Sequence, residues 1–183
     1  MTASWLEREL PQHPGYPGPE GPDPETDLIA GRLAAANRAG FLTHHSQPGD
    51  TWVYQGHQHA QCAEVGGYCA DDDVAAALVD AARMACLDVA IHAPASGVDR
   101  VGRGGWEWMS DPAACWHYKP GQTIPSCVVL RECVPDCGAE AQDQVLDAWQ
   151  ICLRDLRPGR AQRLDAALDA FAADPKRGEG ATR

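Results

Sequence analysis

The chain has no apolar run of transmembrane length, no cluster of lysine and arginine, no Cys-x-x-Cys pair and no internal repeat. Each absence closes a class of function. A membrane-crossing helix needs about 20 consecutive apolar residues, and none occur. An export signal needs an apolar segment near the start, where this chain carries Glu7, Arg8 and Glu9. A cytoplasmic protein is the resulting expectation. Nucleic-acid backbones and anionic membranes call for clustered positive charge, but the net charge is −11 and the pI about 4.9. We therefore expect no nucleic-acid and no membrane partner, and read the acidity as solubility. Gly102-x-Gly104-Gly105 is not followed by Lys-Ser/Thr or by a helix, so it is no phosphate loop. The eight cysteines, in a chain without an export signal, read as reduced and mostly buried thiols.

What is present is enough for one globular domain: 183 residues, 44% of them hydrophobic. Residues 1–24 read as an N-terminal arm. Its first ten form a short amphipathic turn around Trp5, Leu6 and Leu10. The stretch 11–24 holds six prolines and three glycines. Residues 25–173 form the globular body, and 174–183 a polar, disordered tail. Periodicity predicts helices over 24–39, from Asp71-Asp72-Asp73 onward, over 139–156 and over 160–173. Strands are expected at 41–46, 52–54, 87–91 and 127–133, with a short edge strand at 106–108. The fold class is α+β (mixed α/β), with about four helices on a central, partly antiparallel sheet.

The first helix and strand carry the most information. Asp23 suits a helix cap and Pro24 the first helical position. Leu28, Ile29, Leu33 and Ala36 share one helical face. Gly40 supplies a left-handed residue past the helix end. The helix climbs ~24 Å at about 1.5 Å per residue, and the strand returns ~20 Å at about 3.3 Å per residue. A reversal at Gly40 brings Thr43 and Ser46 back toward Glu25 and Thr26. Free amides at a helix start suit an anion such as a carboxylate. The plain alternative is that Glu25 and Thr26 are ordinary first-turn residues, and that Thr43 and Ser46 only serve a strand and a turn.

Glu25-Thr26-x-Leu28-Ile29, then Asn37-Arg38-x-Gly40-x-Leu42-Thr43-x-x-Ser46-Gln47-Pro48, and finally Gln61-Cys62-Ala63, form a pattern. It resembles the C-terminal regulatory domain of eukaryotic methylenetetrahydrofolate reductase over about residues 25–92. That domain binds S-adenosylmethionine as an allosteric inhibitor. The resemblance implies an adenosyl ligand but no required cofactor. Glu25 would meet its amine or ribose, Thr26 and the helix amides its carboxylate, and Thr43 and Ser46 its nucleoside. Gln47 and Gln61 would stand behind them. Three stretches depart from the family pattern. The aromatic loop is shortened to Asp50-Thr51-Trp52-Val53-Tyr54. A later aromatic run becomes Glu64-Val65-Gly66-Gly67-Tyr68. Gly105, not Thr, precedes Trp106. Ser46-Gln47-Pro48-Gly49 and the Trp5-Leu6…Pro14-Gly15-Tyr16 head also resemble a set of small actinobacterial and actinophage proteins.

Other chemistry competes. Cys127-x5-Cys133-x3-Cys137 with His57-x-His59 or His44-His45 offers zinc ligands, although without a knuckle. Cys115 near His117 is the nearest thing to a nucleophile pair, and we assign no catalytic residue. Trp106, Trp108 and Trp116 are candidates to line an adenine pocket. An interaction module that keeps the fold without a ligand, and binds a host or own-cell protein, is the main rival to the adenosyl-binding expectation.

Overall fold

A computed structural model describes residues 2–10, 22, 24–92, 108–110, 116–118 and 139–173. The elements run α1 (Thr2–Leu6), a 3-10 turn (Thr26–Leu28), α2 (Ala30–Arg38), β1 (Leu42–Gln47), β2 (Asp50–Tyr54), β3 (His57–Gln61), β4 (Glu64–Cys69), α3 (Asp72–Met84) and β5 (Asp88–His92). Then follow β6 (Trp108–Ser110), β7 (Trp116–Tyr118), α4 (Ala139–Leu146), β8 (Trp149–Arg154) and α5 (Gln162–Ala172). The expected α+β architecture is what the chain adopts.

The main sheet has the order β1-β4-β8-β5, and every neighbouring pair is antiparallel. β4 and β5 therefore point the same way, and α3 connects them. β8 arrives much later in the chain and is laid between them, which makes a split β-α-β unit. Val65, Cys69, Ile151 and Leu153 lie in one buried cluster with Leu33, Leu78, Leu164, Leu168 and Phe171 from the helices. α5 packs on both α2 and α3 over that face. Phe41 meets Phe171 edge to face, with ring centroids 6.5 Å apart.

Local chemistry sets the element ends. The Asp71 carboxylate accepts from the amides of Asp73 and Val74, at 2.9 and 3.0 Å, and so caps α3. Gly40 turns the chain from α2 into β1 at φ +100°, a conformation that favours glycine. Gln55 and Gly56, at φ 50° and 80°, close the β2–β3 hairpin. α1 docks on α2 with Leu6 in the core, and is held by ion pairs from Arg38 to Glu7 and from Arg8 to Asp27.

Three expectations need correction. The helix over 24–39 is broken at Ile29, whose φ of −122° and ψ of 0° separate the 3-10 turn from α2. Ile29, Leu33 and Ala36 remain buried, but Leu28 is rotated out and is 76% exposed. The helix over 139–156 ends at Leu146, and Trp149–Arg154 is a central strand. Its residues alternate Trp149, Ile151, Leu153 against Gln150, Cys152, Arg154, a period of two that an apolar helical stripe overlapped. Glu64 to Tyr68, read only as a departure from an aromatic run, is strand β4. The arm at 11–21, Asp23, Gly102 to Trp106, Cys115, the strand at 127–133, the thiols Cys133 and Cys137, and the tail at 174–183 lie outside the described residues.

The turn from β8 into α5 is organised by Asp155, which is fully buried. Its carboxylate accepts from the Arg157 amide at 3.1 Å, from Nε at 3.0 Å and from Nη2 at 2.7 Å. The hydrogen bond from the Arg157 guanidinium holds its pKa below the usual 3.8, against the opposing effect of burial. Asp155→Asn is expected to cost about 1.5–3 kcal/mol, the range for hydrogen bonds to a charged group. A depressed carboxylate stabilises in full above its unfolded pKa and loses that contribution as the pH falls through the folded value. Urea unfolding followed from neutral pH down through the carboxylate range should show a shallower acid limb for the variant.

Candidate functional site

β1 carries a bulge that decides what faces what. Its register to β4 runs Leu42↔Tyr68 and Thr43↔Gly67, then shifts to His45↔Gly66, Ser46↔Val65 and Gln47↔Glu64. His44 is the extra residue. Simple alternation would put Thr43 and Ser46 on opposite faces, because they are three apart. The bulge resets the alternation, so Thr43 and Ser46 both pair with core-side residues. His45 and Gln47 then share the opposite face with Gly66 and Glu64.

The structure gives several residues of the sequence pattern clear structural duties. Asn37 Nδ2 donates to the Leu33 carbonyl and to Thr43 Oγ1, each at 2.7 Å. The Thr43 amide donates to Asn37 Oδ1 at 3.2 Å. Asn37 and Thr43 thus staple the end of α2 to the start of β1. Gln61 Nε2 donates to the Pro48 carbonyl at 2.8 Å and closes the base of the β2–β3 hairpin. Ser46 is half-buried beside Val65, and Gln47 pairs with Glu64 across the strands. Glu25 is exposed just before the 3-10 turn, and Thr26 is half-buried as its first residue.

The opposite face of the sheet holds a cluster that the sequence reading missed. Glu64, Gln150, Cys152 and Arg154 are all buried there. Arg154 Nε donates to Glu64 Oε2 at 2.6 Å, and Glu64 Oε1 lies 3.0 Å from His45 Nε2. Asp88 Oδ2 stands 4.0 Å from Arg154 Nη1. The Nδ1 atom of His45 lies 3.2 Å from His44 Nδ1, and the two rings are 4.5 Å apart. His45, Glu64 and Cys152 offer one ligand atom each, all within 4.8 Å of one another.

Gly66 is what lets this cluster form. A Cβ at position 66 would fall 2.0 Å from His45 Cε1, so the imidazole lies directly on the glycine backbone. The electrostatics follow from burial. Burial alone would raise the Glu64 pKa, but the hydrogen bond from His45 and the Arg154 charge hold it below the usual value. Burial pushes the Cys152 thiol well up, with the Glu64 charge adding to it. A nucleophilic triad does not fit this arrangement. The same nitrogen of His45 that would take a thiol proton faces Glu64, and the thiol is held protonated. The missed signal was the pair of alternating patterns Glu64-x-Gly66-x-Tyr68 and Gln150-x-Cys152-x-Arg154, polar positions inside apolar strands.

The β2–β3 hairpin adds an aromatic surface. Trp52 stacks on His59 with centroids 5.5 Å apart, and Tyr54 meets the same ring edge on at 6.2 Å. Trp52, Val53 and Tyr54 are exposed. Cys62, Cys69, Cys86 and Cys152 are in the thiol form. None of the described helices is long and apolar enough to cross a membrane.

No curated protein matches this chain. One family model matches residues 1–102, which take in α1 through β5 and hence His45, Glu64 and Gly66, but end before the strand that carries Cys152 and Arg154. That match covers more than half of the 183 residues, and the chain belongs to the family described as "Domain of unknown function (DUF6919)".

Proposed function

We propose that this protein is a binding module for S-adenosylmethionine or a related adenosyl metabolite, acting as a sensor or a sequestering protein. The observation that carries this reading is the bulge at His44. It turns Thr43 and Ser46 to one face of β1, the pair to which the resemblance gives ligand contact. The chain lengths agree with it. From Gly40, α2 descends roughly 13 Å to its start at about 1.5 Å per residue, and β1 runs roughly 20 Å at about 3.3 Å per residue. The end of β1 therefore reaches the level of the turn that holds Glu25 and Thr26. Glu25 meets the amine or ribose, Thr26 the carboxylate side, and Ser46 the nucleoside. Thr43 contributes through a hydroxyl already oriented by Asn37.

Thermal melting with S-adenosylmethionine, adenosylhomocysteine, ATP and NAD tests the proposal. A ligand at about 100 times its dissociation constant adds ~2.7 kcal/mol, or about 5–10 °C for a chain of this size. The expected result is a shift with the adenosyl-sulfur compounds alone. Glu25→Gln with Ser46→Ala should abolish that shift while the unliganded midpoint stays near the parent's. Thr43→Val is the wrong probe, because losing its bond to Asn37 costs about 1 kcal/mol by itself. A shift that survived the Glu25/Ser46 double change would refute the site.

The exposed Trp52-Val53-Tyr54 edge favours a second reading, a protein-interaction module that keeps the fold without the ligand. That reading gains if none of the four compounds moves the midpoint.

A further inference from the structure

We propose that His45, Glu64 and Cys152 form a binding site for a divalent transition-metal ion of the zinc type. The site lies on the face of the sheet opposite to Thr43 and Ser46, so it stands independently of the adenosyl reading. Three adjacent strands supply one ligand each: β1 the imidazole, β4 the carboxylate and β8 the thiol. An imidazole, a carboxylate and a thiolate together suit zinc better than magnesium or calcium, which prefer oxygen alone. A tetrahedral ion with bonds of about 2.0–2.3 Å holds its ligand atoms about 3.3–3.6 Å apart. His45 Nε2 and Glu64 Oε1 are 3.0 Å apart, and the thiol sulfur lies within 4.8 Å of a ring nitrogen of His45 and a carboxylate oxygen of Glu64. Small side-chain adjustments bring all three onto one ion and leave a fourth position for water.

The surroundings are built for this set. Gly66 makes room for the His45 ring, which lies on its backbone, and any larger residue would displace it. Arg154 holds Oε2 of Glu64, which turns Oε1 toward His45. His44 lies against Nδ1 of His45, where its ring nitrogen accepts a hydrogen bond from the Nδ1–H when Nε2 binds the ion. Metal-bound histidines and carboxylates depend on such outer partners for their orientation. The ion replaces the proton on the Cys152 sulfur, and that proton leaves to solvent. The His45 proton only moves from Nε2 to Nδ1. Arg154 offsets the extra negative charge of the thiolate.

Cobalt(II) titration of the full chain, stripped of metal with a chelator, tests the site. A Cys127→Ser, Cys133→Ser, Cys137→Ser background removes the other thiol cluster that the sequence offers to zinc. One equivalent should bind, with the near-ultraviolet thiolate-to-cobalt band and the visible absorption of a tetrahedral ion. Zinc should displace it. Cys152→Ser should erase the thiolate band. Because Cys152 is buried, His45→Gln serves as the second variant, at a half-exposed ring. It should weaken binding by at least about 100-fold, the upper end of what losing an outer partner costs. Far-ultraviolet circular dichroism would show whether each variant keeps the parent fold. No bound metal, a thiolate band that persists in Cys152→Ser, or unchanged affinity in a folded His45→Gln would overturn the proposal.

Discussion

Arg154→Ala is expected to cost about 3–5 kcal/mol and to lower the melting midpoint by roughly 6–20 °C. Arg154 and its partner Glu64 are each only 3% exposed. Removing the arginine leaves Glu64 ionised, or forced to take a proton, inside the protein. The half-exposed His45 still lies 3.0 Å from Glu64, but one hydrogen bond from a ring nitrogen repays little of the lost pairing with the guanidinium. Most of the penalty is that stranded charge and not the intrinsic worth of the pair. Glu64→Gln combined with Arg154→Met should therefore recover much of the loss, because neither side is left charged and unmatched. Urea unfolding of the two single variants and the double variant closes a mutant cycle. An Arg154→Ala cost below about 1 kcal/mol would mean that the pair sits in water, as surface ion pairs do.

The same pair shows where the sequence was readable. α3 could be read directly: three aspartates open it, an alanine-rich apolar face follows, and the helix runs as expected. The helix–strand turn at Gly40 was also legible, because a glycine after a periodic segment has few other uses. Two things were not. The bulge at His44 leaves no mark of its own in the sequence, since a two-histidine run carries no turn chemistry. Yet it decides which side chains meet. The partners Glu64 and Arg154 are 90 residues apart, and their encounter depends on β8 entering the sheet between β4 and β5. Reading β8 as the end of a helix hid Arg154 and Cys152 together. Of the ligand residues expected from the resemblance, Thr43 and Gln61 are engaged in holding the fold. Part of that pattern is thus explained by the helix–strand staple and the base of the hairpin, whatever else it does.

Ile151→Asp is expected to cost more than about 4 kcal/mol, which would leave a domain of ordinary stability largely unfolded. The two ways of reading residues 147–156 give opposite answers here. On a helix, the apolar stripe is Val145, Leu146, Trp149, Cys152 and Leu153, and Ile151 falls off it. A carboxylate there would then be nearly harmless, within about 0.5 kcal/mol, as for most surface changes. On strand β8, Ile151 pairs with Gly67 on one side and Ile91 on the other, and is completely buried. It lies in the apolar cluster with Leu33, Leu78 and Phe171. An aspartate must either stay protonated or expel the sheet from the helices, and both cost more than the residue's lost packing. Ile151→Val supplies the control: it keeps the strand and the apolar face, at about 0.5–1.5 kcal/mol. Near-ultraviolet circular dichroism and urea unfolding of the two variants, side by side, separate the outcomes. A folded Ile151→Asp protein would remove β8 from the centre of the sheet, and with it the encounter of Cys152 and Arg154 with Glu64.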